Sequence, residues 1–252
     1  MMLSAEEWHA RYSLQARWTR PLRTYLFPQA GLQHARRVLD VGCGTGALQA
    51  ELVESGAGQV HGLDIDSRLL AESARQNLGA ILTQADALSL PYAAGSFDLC
   101  LCHFLLLWVA DSLQMLKEMR RVTCPGGALL VLAEPDYGGR IDYPEELAEL
   151  GRLQAESLRQ QGAEPQMGRR LMGLMAGLGL ESLEVGVLGA QWRNLPASEL
   201  VTSEWDMLHH DLAGQLSEAQ LAHLHQVDEE AWSRGSRVLY VPTFYAWGRV
   251  PS

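Results

Sequence analysis

The segment Asp40-Val41-Gly42-Cys43-Gly44-Thr45-Gly46 sets three glycines at alternate positions directly behind a carboxylate. Glycines so spaced let a chain turn tightly and remove the Cβ atoms that would hold a ligand off the backbone. Free amides near the start of a following helix would add a weakly positive site. Two ligand classes fit such a loop. Gly42 to Ala47 satisfies Gly-x-Gly-x-x-Ala, and Asp64 follows near the distance expected of a ribose-binding acid, which suits a dinucleotide. Asp40 argues the other way. A carboxylate beside the loop repels a pyrophosphate and tolerates a cationic amine or sulfonium, which favours a nucleoside without phosphates. Further along, Asp64 can accept from both ribose hydroxyls. Ile65 can lie against one face of a purine, Asp86 can accept from an exocyclic amine, and the amide of Ala87 can donate to the ring.

These residues need a scaffold that gathers strand ends. Residues 38–41, 59–63, 80–83, 97–102 and 128–133 read as strands. Helical spacing predicts helices near 47–55, 67–77 and 111–122, with Asp66 or Ser67 capping the second. The strands are continuous apolar runs, which implies a parallel sheet with helices on both faces. In a doubly wound sheet the loop after the first strand lies at the switch point where ligands bind. Residues 5–20 carry a helical pattern, 145–161 and 165–176 suggest further helices, 183–188 reads as another strand, and Phe244 to Gly248 forms the last apolar run. The mostly helical stretch 196–234 is short for a core of its own and reads as an insertion between the final two strands. The expectation is a single domain over 1–252, with an N-terminal helical cap over 1–35 and a cofactor-binding core over 36–136.

Of the 252 residues, 47% are hydrophobic and 20% charged, enough to bury a sizeable core. Acidic residues outnumber basic ones by 30 to 20, for a formal charge of -10. That balance disfavours nucleic acid, and the clusters at 34–37 and 168–170 are too short to make a groove for it, so a small molecule is the expected partner. No apolar run reaches the roughly 18 residues that span a bilayer. The first residues also lack the pattern of a secretory leader, so no membrane insertion and a cytoplasmic location are expected. Cys43, Cys100, Cys102 and Cys124 have neither zinc-knuckle spacing nor disulfide-scaffold density. His209, His210 and Asp211 are adjacent and point different ways on a helix, and His223 and His225 share no face, so no metal site is expected. Oligomeric state is not legible in the pattern.

The stretches VLDVGCGTG (38–46), GLDID (62–66), QADAL (84–88), FDLCLCHFLLLW (97–108) and RRVTCPGGALLVLAEPD (120–136) together carry a resemblance. In them the chain resembles the class I S-adenosylmethionine-dependent methyltransferases, in particular the small-molecule enzymes of the ubiquinone/menaquinone-biosynthesis type. The resemblance covers about residues 36–136 and fades beyond. It implies an α/β, Rossmann-like doubly wound, mostly parallel seven-stranded sheet whose antiparallel last strand is FYAWG. It also implies S-adenosyl-L-methionine as cofactor, with the methionine end against Gly42, Cys43 and Gly44 beside Asp40. The ribose would fall on Asp64 and the adenine on Ile65, Asp86 and Ala87. His103 would lie by the methionine moiety or the reacting methyl, and the N-terminal helix would form a lid bearing Tyr12, Arg17 and Trp18.

A sulfonium methyl needs an aligned nucleophile and exclusion of water; a base is required only when the acceptor holds its proton tightly. His103 is a candidate base or acceptor-orienting residue, or else part of the cofactor shell. Glu134, at the end of the fifth strand, is a candidate ligand for the acceptor or a structural carboxylate. Trp205 and His209 are four apart and hence on one helical side, a candidate face closing on an apolar acceptor. Aromatic residues at 8, 18, 108, 137, 143, 192 and 205 suit an organic acceptor or simple packing. The expected function is in-line methyl transfer to a small organic acceptor. Alternatives are an NAD(P)-dependent oxidoreductase, although Lys117 is the sole lysine and no Tyr-x-x-x-Lys pair exists, and a catalytically silent cofactor-binding protein.

Overall fold

The computed structural model describes residues 4–76, 79–189 and 198–252, with backbone alone over 198–203. The predicted Trp192 lies outside the described residues, as does the start of the stretch 196–234. Helix α1 (Ala5–Ala30) begins at a capping box, in which Ser4 and Glu7 exchange side-chain and backbone bonds. It ends at Gly31, whose φ of 80° is the left-handed conformation that closes helices. The helix runs ten residues further than the 5–20 pattern because Leu22, Leu26, Phe27 and Ala30 bury against the sheet.

Strands β1 (Arg37–Val41), β2 (Gln59–Asp64), β3 (Ile81–Gln84), β4 (Phe97–His103) and β5 (Thr123–Pro135) alternate with helices α2 (Gln49–Glu54), α3 (Ser67–Arg75) and α4 (Ser112–Val122). Asp66 caps α3 and Asp111 caps α4, each accepting an amide of the first turn. After β5 come β6 (Ile141–Tyr143), α5 (Ala148–Gln160), α6 (Met167–Ala176), β7 (Glu181–Val187), α7 (Ser198–Asp211), α8 (Glu218–Ser233), β8 (Val238–Tyr240) and β9 (Thr243–Arg249). The main sheet has seven strands in the order β3-β2-β1-β4-β5-β9-β7. β1 to β5 are parallel, and β9 runs antiparallel to both β5 and β7.

Alternation along β4 sends Leu99 and Leu101 to one face, with α1 and α2, and Cys100 and Cys102 to the other, with α4 and α6. Both faces are covered, which is why these strands read as continuous apolar runs. The region between β7 and β9 shares a satellite core with α5, in which Leu147, Leu150 and Leu153 pack with Trp205, Leu208, Leu212 and Leu221. The two-stranded β6–β8 ribbon has no counterpart in the sequence reading, because three-residue strands carry too little periodicity. No helix among the described residues is long and apolar enough to cross a membrane.

Candidate functional site

The carboxyl ends of β1, β2 and β4 bring Asp40, Asp64 and His103 to one edge of the sheet. Gly42, Gly44 and Gly46 all have positive φ (70°, 53° and 80°), so the alternate glycines are a backbone requirement. A Cβ on Gly42 would lie 2.6 Å from Leu105 Cδ2, and one on Gly44 3.1 Å from the Tyr12 ring. The loop is therefore a shallow cradle against which other groups press closely.

The loop amides differ from expectation. Those of Gly42 and Cys43 both donate to Leu63 O, at 2.7 and 3.0 Å, and that of Gly46 donates to Cys43 O. The amide of Gly44 donates to Asp64 Oδ2 at 2.8 Å. Four of the loop amides are thus taken, three of them by the end of β2, and α2 begins only at Gln49, beyond the amides of Thr45, Ala47 and Leu48. Asp64 accepts a second amide, that of Asp66, at Oδ1, and burial still raises its pKa. Each carboxylate oxygen keeps acceptor capacity for a ribose hydroxyl.

Asp40 also behaves differently from the open carboxylate of the sequence reading. It is buried, and desolvation, followed by the neighbouring Asp64 charge, pushes its pKa up to about 8 against the opposing pull of Arg23. At neutral pH it is mostly protonated, so its charge is not what turns a pyrophosphate away. Ile65 stands 67% exposed beside Asp64, an apolar platform open to a planar ring. Asp86 is exposed and turns its Oδ1 to the amide of Leu88, with Ala87 half-buried behind it.

Helix α1 lies across this edge. His9 Nδ1 sits 3.0 Å from Thr45 Oγ1, and Tyr12 stacks on Trp8 at 5.2 Å while covering Gly44. Burial and Asp64 raise the Tyr12 pKa to about 12, so its hydroxyl stays protonated. Arg17 is exposed, and Trp18 stacks on Phe104 at 6.2 Å. His103 Nε2 lies 2.8 Å from Thr19 Oγ1, which accepts from Arg23 Nη1 at 2.6 Å. The buried Arg23 grips Glu51 through Nε and Nη2, at 3.0 and 2.7 Å. Burial, then Arg23, drives the His103 pKa well below its ordinary value, so the imidazole is neutral.

Two catalytic candidates are corrected. Glu134 is fully buried and accepts the amides of Leu105, Leu106 and Leu107 at 3.0, 2.9 and 3.2 Å. A bulge opposite β9, between Val131 and Glu134, with Ala133 at φ 61°, accompanies this placement. The carboxylate braces the turn after β4 and has no path to an acceptor. Burial outweighs those three bonds and raises its pKa to about 7. His209 stands exposed, whereas Trp205, four residues before it, turns inward at 3% exposure and donates Nε1 to Asp228 at 2.9 Å.

A cavity of about 420 Å³ opens between α1, the ends of β5 and β9, and the α7–α8 region. Trp18, Phe104, Tyr137 and Trp205 are among the residues that line it, and its size is ordinary for a small-molecule site. Of the aromatics singled out from sequence, Trp8 stacks on Tyr12 within α1, while Trp108 and Tyr143 are about half exposed and are not among the residues lining the cavity. Sequence reasoning missed Arg11, Gln15 and Phe104; the i, i+4, i+7 relation of Arg11, Gln15 and Trp18 was the available signal. Among the described residues no group of three His, Cys, Asp or Glu side chains is placed to hold a metal ion.

Comparison with known proteins bears on the family and the fold. Residues 39–131 match a family described as a methyltransferase domain. The ubiquinone/menaquinone biosynthesis C-methyltransferase UbiE of Bdellovibrio bacteriovorus is 38% identical over 120 residues, covering 46% of this chain and 49% of that protein. The malonyl-[acyl-carrier protein] O-methyltransferase of Erwinia pyrifoliae is 39% identical over 105 residues, covering 39% of each. The chain thus spans about half or less of these relatives. The phosphoethanolamine N-methyltransferase 2 of Haemonchus contortus, solved with S-adenosyl-L-methionine, shares the fold at a TM-score of 0.57 and 18% identity over 86% of this chain and 49% of that one. Residues 39–131 therefore match a methyltransferase domain, and that part of the chain is similar to the ubiquinone/menaquinone-biosynthesis methyltransferases.

Proposed function

We propose that the protein transfers a methyl group from S-adenosyl-L-methionine to a small organic acceptor held in the cavity beneath α1. The observation that carries the choice of cofactor is a carboxylate seated on the loop itself: Asp64 Oδ2 accepts the Gly44 amide at 2.8 Å, so an anionic diphosphate laid on this loop would meet that carboxylate. A nucleoside without a diphosphate suits that surface, and a nicotinamide dinucleotide does not.

Asp64 would hold the ribose, with Ile65, Asp86 and Ala87 around the base. Gly42, Cys43 and Gly44 would bear the methionine portion, with Asp40 beneath and Tyr12 above. Bound there, the cofactor supplies a methyl on a sulfonium whose leaving group departs as a neutral thioether. The chain's share is alignment and dryness. Neutral His103, fixed by Thr19, offers a hydrogen bond and not a charge, and Phe104 beside it leads into the cavity. Trp8 and Tyr12 close the solvent side. The first two relatives named above carry C- and O-methyltransferase names and each matches less than half of this chain, which supports placing the choice of acceptor in α1 and the segments after β5.

The test is calorimetric titration of the protein with S-adenosyl-L-methionine, S-adenosyl-L-homocysteine and NADH. Saturable binding of the first two is expected. Saturable NADH binding without uptake of either sulfur compound would overturn the proposal.

A further inference from the structure

The cavity's charges are not distributed evenly, and their pairing bears on what the acceptor must carry. Each described acidic side chain of its lining is already bonded to an arginine. Glu204 Oε1 accepts from Arg140 Nη1 at 3.0 Å, and Asp228 accepts from Trp205 Nε1 at 2.9 Å and Arg237 Nε at 2.5 Å. Behind them Asp142 bridges the two arginines, bonding Arg140 Nε at 2.6 Å and Arg237 Nη2 at 2.7 Å. Arg140, Asp142, Asp228 and Arg237 have side chains at most 5% exposed, so these pairs are held out of water. Breaking one to receive a ligand would leave a buried charge uncompensated.

Arg11 is the exception. Among the described residues it makes no ion pair and no hydrogen bond to a carboxylate; its guanidinium lies 5.6 Å over the Trp8 ring. It shares the cavity-facing side of α1 with Gln15 and Trp18 and faces the region of Tyr137, whose hydroxyl feels Glu204 and Arg11 with opposite signs. Among the described residues Arg11 is therefore the one charged side chain of the lining without an ion pair, while the three acids of the buried network, Glu204, Asp142 and Asp228, outnumber its two arginines by one. It stands at the edge of a chamber walled by the rings of Trp18, Phe104, Tyr137 and Trp205. Flat ring walls favour planar ligands, and a guanidinium matches a carboxylate in two parallel hydrogen bonds.

Building on the methyl-transfer reading, we infer that the acceptor is a planar ring compound bearing an anionic group, and that Arg11 binds that group. Arg11 is then a specificity-determining residue for the acceptor, separate from the cofactor contacts on the neighbouring Tyr12.

The experiment uses the full chain saturated with S-adenosyl-L-homocysteine and titrated by calorimetry with three probes of one shape: 2-naphthoate, 2-naphthamide and 2-naphthylmethylammonium. Naphthoate should bind at least about 10-fold more tightly than the amide, and the ammonium compound more weakly still. Arg11→Gln should reduce the naphthoate preference to less than about 2-fold, and Arg11→Lys should restore part of it, because a point charge remains without the planar fork. S-adenosyl-L-homocysteine affinity should stay within about 2-fold in both variants. No naphthoate binding, equal binding of the amide, or tighter binding of the ammonium compound overturns the inference. So does a loss of about 10-fold in S-adenosyl-L-homocysteine affinity in Arg11→Gln, which would make Arg11 a cofactor residue. Failure of the wild type to bind S-adenosyl-L-homocysteine overturns the methyl-transfer reading instead, and an acid-over-amide preference measured without it still decides the role of Arg11.

Discussion

Replacing Asp40 by asparagine offers the sharpest test of how the site takes a cationic cofactor. The carboxyl is buried at the end of β1, and its pKa of about 8 leaves it ionised in only about one molecule in ten at pH 7. A ligand bearing an ammonium and a sulfonium stabilises the ionised form, so binding must first draw that proton off, at a cost of about 1.4 kcal/mol at pH 7. Affinity should therefore rise about 20-fold between pH 6 and 7.5, and about 0.9 proton should be released per ligand bound at pH 7. Titrations in two buffers of different ionisation enthalpy read both quantities. Asp40→Asn has no proton to lose, so its affinity should be nearly flat over that range and at least about 10-fold below wild type at pH 8.5; it also corrects for the ligand's own α-amino group, which titrates near about 7.8. Stability should move oppositely. The folded pKa lies above the 3.8 of an ordinary carboxyl, so stability falls as pH rises from about 4 to 8 and levels off above. At pH 7 the wild type forgoes up to about 4 kcal/mol that Asp40→Asn recovers, a rise in melting temperature of roughly 10 °C. A wild-type affinity independent of pH between 6 and 7.5, or the same slope in Asp40→Asn, would refute the reasoning.

Asp64→Ala should weaken S-adenosyl-L-methionine binding by at least about 10-fold in calorimetry, since it removes the ribose acceptor and frees the Gly44 amide that Asp64 holds; unchanged affinity would contradict the site map. Glu134→Gln should leave kcat unaltered, its melting temperature being set by two opposed changes, relief of a buried carboxyl raised to about 7 and loss of part of its three amide bonds; a large drop in kcat with an unchanged melting curve would return Glu134 to the chemistry. Arg237→Met strips Asp142 and Asp228 of a buried partner and should cost about 3–5 kcal/mol in urea unfolding, whereas a change below about 1 kcal/mol would mean the network is not holding the cavity wall.

The core was legible because its signals are local. Continuous apolar runs, the glycines ahead of α2 and the Asp66 and Asp111 caps each follow from a handful of neighbouring residues. The same locality made Asp64 and Ile65 visible, since both stand at the end of one strand. Boundaries were less legible where tertiary contacts decide them. Burial carries α1 past Pro21 to Ala30, and the pairing of Thr123 with Phe97 on β4 carries β5 back through the Cys124-Pro125-Gly126-Gly127 turn.

What a carboxylate does, by contrast, depends on how much water remains around it and which donors reach it. Sequence placed Asp40, Glu134 and His209 near the chemistry by their position along the chain. Folding buried the first until it holds its proton, spent the second on three backbone amides and left the third in solvent. The amino-acid order determined the sheet, its glycine loop and the acids at its edge, since those depend on backbone sterics and periodicity within a few residues. The cavity, its paired acids and the lone Arg11 arise only when α1, the strand ends and α7–α8 converge from opposite parts of the chain, because desolvation and charge pairing are properties of that assembled neighbourhood.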